Sequence, residues 1–111
     1  MRMWNVDPKL LCRKHIQGEH VEMHMFIGTI KKKKKLDGYL RNGLVIVDKI
    51  LERHDLLEDE MRSRGINAKS PLSYDGELPS IGIVDSDENL KELCRRCESC
   101  RERILGKNSI Q

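Results

Sequence analysis

The sequence is poor in aromatic residues and contains no long apolar run. Four of its 111 residues are aromatic, which does not support a stacking platform for single-stranded nucleic acid. No apolar stretch approaches the ~20 residues that a membrane-spanning helix requires. The first eight residues also lack the apolar segment of a signal peptide. We therefore expect a cytoplasmic protein, or one close to the nucleoid, that does not enter a membrane.

The chain also lacks a strong net charge and the length for two domains. Charged residues make up 35% of the sequence, yet the formal net charge is only +3. The distribution of charge therefore matters more than its sum, and five consecutive lysines form the clearest asymmetry. A chain of 111 residues accommodates one core, so we expect a single domain over residues 1–111. In the cytoplasm its four cysteines would be thiols or metal ligands and not disulfides.

The spacing of apolar residues predicts three helices. Asp7 and Pro8 form a favourable helix start, and the helix is expected to run to about Lys34. Apolar residues at three- and four-residue steps predict a second helix over about 43–64, followed by Gly65 as a cap. A third helix is predicted from Ser86 to about Gly106. Residues 66–84 show no helical period. The predicted fold is all-α, a compact three-helix bundle with an extended linker between helices two and three.

The middle of the first helix carries acids and histidines beside an apolar stripe. At helical spacing, one face presents His15, Glu19, Glu22 and Phe26. The neighbouring stripe contains Ile16, Met23, Ile27 and Ile30. Titratable groups that border a core can be partly desolvated, which proton-transfer chemistry requires.

The N-terminus is a second candidate for chemistry. Because arginine at position 2 is too bulky for efficient removal of the initiator methionine, we expect Met1 to keep its free α-amine. An α-amine has a pKa near 7.7–8.0, so roughly a tenth of it is an uncharged nucleophile at pH 7. Such an amine forms an imine with an aldehyde-like carbon when a nearby carboxylate, here Glu22, moves protons. The alternative is an N-terminus that is frayed and has no function.

Metal binding and phosphate binding are further hypotheses, each with an ordinary structural alternative. His20 and His24 are four residues apart and could bind zinc from one helix face. Cys94, Cys97 and Cys100 form overlapping CxxC pairs, for which Cys12 or a histidine would have to supply the fourth ligand. Packing of the thiols in the core is the alternative. The lysine run could contact a phosphate backbone or be a solvated helix end; its members are Lys31, Lys32, Lys33, Lys34 and Lys35.

Several separate stretches of the chain form a set that points to one family. They are the Arg2 start, the pattern His15-x-x-x-Glu19-x-x-Glu22, the segments 28–32 and 60–69 and, more loosely, Asn89-Leu90 and Arg96. Together they resemble the pyrimidine-dimer DNA glycosylase family, also called the phage endonuclease V type, and the resemblance covers most of the chain. Members of this family are small all-α proteins in which the N-terminal α-amine attacks C1′ of a damaged nucleotide. A glutamate on the first long helix then assists glycosyl cleavage and strand scission.

The resemblance implies a role for individual residues. Met1 falls on the family's nucleophilic terminal residue, usually a threonine, and Glu22 on its catalytic glutamate. Arg2 and His15 fall on substrate-contacting residues, and we add Glu19 to the expected substrate-binding set. The implied partner is damaged double-stranded DNA, bound by a monomer without a cofactor.

The chain also departs from the family pattern. Two DNA-contacting arginines of the family are replaced by Val21 and Met25, and a cysteine-rich helix replaces the aromatic C-terminal tail. The five lysines are expected to supply the missing phosphate contacts. The alternative hypothesis is a non-catalytic nucleic-acid-binding protein with a structural zinc site at Cys94, Cys97 and Cys100.

Overall fold

The structure is a computed structural model that describes the backbone of residues 1–109 and the side chains of residues 1–106. About 60% of the chain is helical, and residues 1–109 contain no strand. The helices are α1 (Arg13–Lys31), α2 (Asp37–Arg41), α3 (Ile50–Ser63), α4 (Ser86–Arg96) and α5 (Glu98–Ser109). Short 3₁₀ helices lie at Pro8–Leu10 and Val47–Lys49. None of the helices within residues 1–109 is both long enough and apolar enough to span a bilayer.

The predicted all-α class is confirmed, but the three-helix bundle is wrong. Five helices are present in the described residues, four of them substantial, because the third predicted helix divides into α4 and α5 and because the short helix α2 lies between the first two. The first predicted helix begins as a 3₁₀ turn capped by Asp7, and α1 starts only after Cys12, whose side chain accepts a hydrogen bond from the amide of His15. Helix α1 ends at Lys31 and not at Lys34, since Lys33 has a φ of 58°.

The other predicted helices also change at their boundaries. Helix α3 begins at Ile50 and not at Gly43, because Gly43 has a positive φ of 67° and Ile46 is extended. The predicted third helix divides into α4 and α5 because Cys97 is extended, with φ −131° and ψ 109°. The start at Ser86 and the position of Gly65 just after α3 agree with the prediction.

The core lies mainly between α1 and α3. Phe26, Met23 and Ile16 of α1 are fully buried, as are Ile50 and Leu57 of α3. Helices α4 and α5 add Leu93, Cys100 and Ile104 to the same cluster. Ile16, Met23 and Ile27 of the apolar stripe predicted for α1 are therefore buried and Ile30 is half-buried. Phe26 and Glu19 of the neighbouring face are buried as well, so that face borders the core.

Residues 66–84 contain no helix, as predicted, and they pack against the loop before α3. The amide of Val47 donates to the carbonyl of Ile81 at 2.9 Å. Gly82 has a φ of 103°, and a Cβ at this position would overlap the carbonyl oxygen of Val45. Glycine is therefore required where the linker crosses this loop.

A network of hydrogen bonds between histidines and a glutamate links α1 and α3. His20 Nε2 lies 2.9 Å from Glu58 Oε2, and His24 Nε2 lies 3.1 Å from His54 Nε2. Burial, together with the nearby His54 and His20, lowers the pKa of His24. Burial alone would raise the pKa of Glu58, but hydrogen bonds from His20 and from the amide of Ser70 hold it below its ordinary value. The predicted pair of His20 and His24 thus joins a third histidine in a network of hydrogen bonds.

Candidate active site

Residues 1–6 are fixed to the helices by backbone hydrogen bonds. Met3 and Trp4 are 0% and 5% exposed. The amide of Met3 donates to the carbonyl of Leu44 at 2.7 Å, and the carbonyl of Trp4 accepts from Asn89 Nδ2 at 2.8 Å. The alternative of a frayed N-terminus is therefore wrong, because this segment is part of the core.

The carboxylate of Glu22 lies at the beginning of this segment. Its Oε1 accepts a hydrogen bond from the amide of Arg2 at 2.7 Å. Only two backbone atoms separate that amide from the α-amine of Met1, so standard bond lengths put the amine within roughly 6.5 Å of the carboxylate oxygen. Among the described residues no other hydrogen bond is formed to Glu22, so its second oxygen has no partner there.

A buried ion pair between Arg53 and Glu19 holds the N-terminal segment in place through hydrogen bonds to Trp4 and Val6. Arg53 of α3 donates from Nε and Nη2 to the two oxygens of Glu19, at 2.7 and 3.0 Å, and from Nη1 to the carbonyl of Val6 at 2.7 Å. Glu19 also accepts from the amide of Trp4 at 3.1 Å. The two side chains of the pair are 0% and 4% exposed. Glu19, which we expected to bind substrate, is instead enclosed by these contacts and positions residues 4–6.

Arg53 was not predicted to belong to the site, although its position in the sequence indicates that it is buried. Arg53 lies three residues after Ile50 and four before Leu57, and both of these residues are fully buried. A charged residue at helical spacing within an apolar face requires a buried partner of opposite charge. Glu19, at the edge of the buried face of α1, satisfies the same condition.

The comparison with known families is informative for this part of the chain. A family model described as pyrimidine dimer DNA glycosylase matches residues 1–74, which is two thirds of the sequence. The chain belongs to the pyrimidine dimer DNA glycosylase family. The predicted resemblance is therefore confirmed. Searches of curated proteins and of solved structures gave no match.

Family membership implies a DNA glycosylase that acts on pyrimidine dimers, and it does not favour the non-catalytic alternative. The matched residues include the fixed N-terminal segment and the helices that carry Glu19, Glu22 and Arg53. Helices α4 and α5 lie outside the match. The contact of Asn89 with Trp4 therefore comes from a part of the chain that the family model does not cover.

Arg2 lies beside the predicted family glutamate and stacks on Trp4. Its guanidinium carbon is 3.8 Å from the centre of the Trp4 ring, and its Nη2 donates to Asn89 Oδ1 at 2.6 Å. Its Nε is buried without a hydrogen-bond partner among the described residues. Burial and the charge of Arg96, which lies 5.4 Å from the same ring, lower the pKa of Arg2. Arg96 is ion-paired with Glu92 at 2.7 Å, so Arg2 is the cation beside Trp4 that has an N–H without a partner among the described residues.

His15, near the start of α1, contacts the same tryptophan. Its ring meets Trp4 edge-on with a centroid distance of 5.8 Å, and its Nδ1 lies 3.3 Å from the Cys12 sulfur. It forms no hydrogen bond with Glu22 within the described residues. Burial, with the charges of Lys14 and Arg96, lowers the pKa of His15 and so disfavours protonation of the ring.

The surfaces predicted to meet DNA extend along α1. Lys31, Lys32, Lys33, Lys34 and Lys35 are all exposed, at the end of α1 and in the turn that follows it. Nine residues of helix separate Lys31 from Glu22, which is roughly 14 Å along the axis. Val21 and Met25, in the family's arginine positions, are 54% and 50% exposed. An open cleft of about 700 Å³ reaches Arg2 and Asn89 but is not lined by Glu22.

The cysteines are arranged differently from the prediction. Cys97 and Cys100 lie together with Cys12 and His15, whereas Cys94 is not a member of this group. Burial raises the pKa of the Cys100 thiol to about 12. Of the three cysteines grouped by their spacing, the structure therefore brings Cys97 and Cys100 together and leaves Cys94 outside the group.

Proposed function

We propose that the protein is a DNA glycosylase with AP lyase activity, which cleaves at pyrimidine dimers in duplex DNA through an imine to the amine of Met1. Family membership supports the substrate and the glycosylase step. The hydrogen bond from the Arg2 amide to Glu22 supports the imine step, because it brings a carboxylate of α1 close to the amine.

In the proposed reaction the uncharged amine of Met1 attacks C1′ of the damaged nucleotide. The bond between C1′ and the base nitrogen breaks, and the base leaves with the bonding electrons and a proton. Loss of the amine proton and opening of the sugar ring give the imine. Glu22 stabilises the cationic sugar by its charge and receives or returns these protons.

Strand scission follows from the same intermediate. Glu22 removes a proton from C2′, the C2′–C3′ double bond forms, and the bond from C3′ to the phosphate oxygen breaks. The phosphate leaves with the electron pair, and water hydrolyses the imine to release the amine. The side chain of Met1 takes no part, so methionine in place of the family's usual threonine is compatible with the chemistry.

The neighbouring residues support binding of the sugar phosphate. Arg2, whose buried Nε has no partner among the described residues, would donate to a phosphate or a base oxygen that enters the site. Arg96 also lies beside Trp4, where its charge is paired with Glu92. An enzyme of this type must bend the duplex and extrude a nucleotide to reach C1′, and a dimer already weakens the stacking. We further propose that the protein acts as a monomer and that the five lysines hold the phosphate backbone.

Borohydride trapping tests the imine directly. The full chain is incubated with duplex DNA containing one abasic site and is then reduced, and covalent complexes are counted on a denaturing gel. We expect one protein to be trapped per DNA, with the modified nitrogen at Met1 in a peptide map. Strand cleavage without trapping, or trapping at a lysine, would overturn the assignment of Met1.

Two variants test the individual roles. An uncleaved N-terminal extension should abolish trapping, because it converts the amine into an amide. Glu22→Gln keeps an oxygen that can accept from the Arg2 amide, so the fold and DNA binding should persist while strand cleavage falls about 10²–10⁴-fold. Glu52→Gln, an exposed glutamate on α3, is the control and should cleave normally. Full activity of either test variant would contradict the corresponding role.

A further inference from the structure

Four potential metal ligands converge where the start of α1 meets the start of α5. They are Cys12, His15, Cys97 and Cys100, and each offers one atom such that all four atoms lie within 4.8 Å of one another. Two come from a Cys-x-x-His sequence and two from a Cys-x-x-Cys sequence 85 residues further along the chain. We propose that these residues bind one structural Zn²⁺ ion, a site that the proposed glycosylase chemistry does not require.

The distances fit a tetrahedral zinc ion. Zn–S bonds of about 2.3 Å and Zn–N bonds of about 2.0–2.1 Å give ligand separations of about 3.8 Å between sulfurs and about 3.6 Å between sulfur and nitrogen. The sulfurs of Cys12 and Cys97 are 3.8 Å apart, and Cys12 Sγ lies 3.3 Å from His15 Nδ1. A disulfide requires about 2.05 Å between sulfurs. A four-iron cluster binds each ligand to a different iron, so its ligands lie further apart than these do.

Backbone amides point at the sulfurs, as expected around zinc-bound thiolates. The amide of Cys12 donates to the Cys100 sulfur at 3.2 Å, and the amides of His15 and Cys100 donate to the sulfurs of Cys12 and Cys97, both at 3.4 Å. The amides of His15 and Cys100 belong to the first turns of α1 and α5, and Cys12 is the residue directly before α1. Amide hydrogen bonds and helix N-termini orient and stabilise a metal-bound thiolate.

The backbone break at Cys97 is explained by this site. The Cys97 conformation ends α4 and starts α5, and it brings the sulfurs of Cys97 and Cys100 next to Cys12. A cysteine that only fills space in the core can remain within a continuous helix, as Cys94 does in α4. Packing alone does not explain four residues with zinc affinity whose ligand atoms lie within 4.8 Å of one another and whose sulfurs receive backbone amides.

The consequence of the zinc ion is structural. It fastens α4 and α5, which lie outside the family match, to the first turn of α1. Helix α4 carries Asn89, which holds both the Arg2 side chain and the Trp4 carbonyl. With Nδ1 on the metal, His15 would be fixed as one tautomer against Trp4.

Metal analysis of the full chain tests the proposal. The protein is prepared without a metal-affinity tag, and zinc is measured by mass spectrometry together with the number of free thiols. We expect about one zinc ion per chain, lost in Cys97→Ser and in Cys12→Ser but retained in Cys94→Ser, which removes a cysteine outside the cluster. Equal zinc contents in Cys97→Ser and Cys94→Ser would overturn the ligand assignment.

A second measurement does not depend on the folding of variants. Wild-type protein is depleted of metal with a chelator and titrated with Co²⁺ under reducing conditions. We expect saturation at one equivalent, with thiolate-to-cobalt charge-transfer bands and the intense visible bands of a tetrahedral ion, and loss of the spectrum when Zn²⁺ is added. An octahedral spectrum, or a disulfide between Cys12 and Cys97 in the native protein, would overturn the proposal. None of these readouts uses DNA, so failure of the proposed function would leave the zinc result unaffected.

Discussion

The buried ion pair of Arg53 and Glu19, which holds residues 4–6, gives the sharpest test of how the candidate site is positioned. Arg53→Met removes two hydrogen bonds to Glu19 and one to the Val6 carbonyl, and it leaves the buried carboxylate with the Trp4 amide as its one remaining partner among the described residues. Removing one member of a buried ion pair costs about 3–5 kcal/mol, against a total stability of about 5–15 kcal/mol. At roughly 4 °C per kcal/mol for a chain of this length, Tm should fall by about 12–20 °C.

The assay combines stability with borohydride trapping. Urea denaturation followed by circular dichroism gives the loss in unfolding free energy, and trapping is measured at a temperature at which both variants are folded. Arg53→Met removes contacts that hold residues 4–6. The amount of complex trapped per folded molecule should therefore fall together with the free energy of unfolding. Leu57→Ala is the control, since it removes buried side-chain volume from the same helix at a cost of about 2–5 kcal/mol without removing a hydrogen bond.

Two results would refute this reasoning. A decrease below about 1 kcal/mol in Arg53→Met would mean that Glu19 is not a buried charge that depends on this arginine. Equal decreases of trapping in Arg53→Met and Leu57→Ala would mean that general destabilisation, and not the position of residues 4–6, reduces the reaction.

Three further predictions concern DNA binding, pH and the linker. Replacing Lys31–Lys35 by glutamine should reduce the slope of log K against log salt by about 0.9 for each phosphate that the lysines no longer neutralise, and an unchanged slope would show that the lysines do not touch DNA. Because the folded pKa values of His24 and Glu58 lie below their ordinary values, the unfolded chain binds more protons, so the urea midpoint should fall as the pH drops below about 6.5 and again below about 4.5. His24→Gln should reduce the first decrease, to which His15 also contributes because its pKa is lowered too, and a midpoint that rises between pH 7 and 5.5 would contradict the assignment. Gly82→Ala should cost at least about 2 kcal/mol in unfolding free energy, whereas Gly18→Ala, in open space within α1, should stabilise by up to about 1 kcal/mol; equal effects would contradict the close approach at Gly82.

The local spacing of apolar residues was sufficient to predict some helices and their boundaries but not others. The two faces of α1 were predictable because Ile16, Met23 and Ile27 repeat at helical spacing. The break at Cys97 was not, since its extended conformation depends on partners 85 residues away and not on neighbours in sequence. We placed the start of α3 too early because the apolar residues Leu44 and Val47 continue the helical spacing through a segment that is not α-helical.

The candidate site, too, could be predicted only in part from the sequence. The shared face of His15, Glu19 and Glu22 could be predicted from their spacing, but their different environments could not. Glu19 is enclosed by Arg53, whereas Glu22, one turn further along α1, remains half-buried beside Arg2. Which acid is available for chemistry depends on tertiary contacts, and spacing alone assigns both to the same face.

The attachment of Arg2 to Asn89 has a consequence for biosynthesis. These residues are 87 positions apart, so a ribosome that adds about 5–20 amino acids per second needs several seconds to supply the second after the first. During that interval Arg2 and Trp4 lack the contacts that Asn89 provides. A polypeptide that ends before α4 would keep the hydrogen bonds of residues 2–4 to Glu22, Leu44 and Glu19, but the Arg2 side chain would have no amide of α4 to hold it.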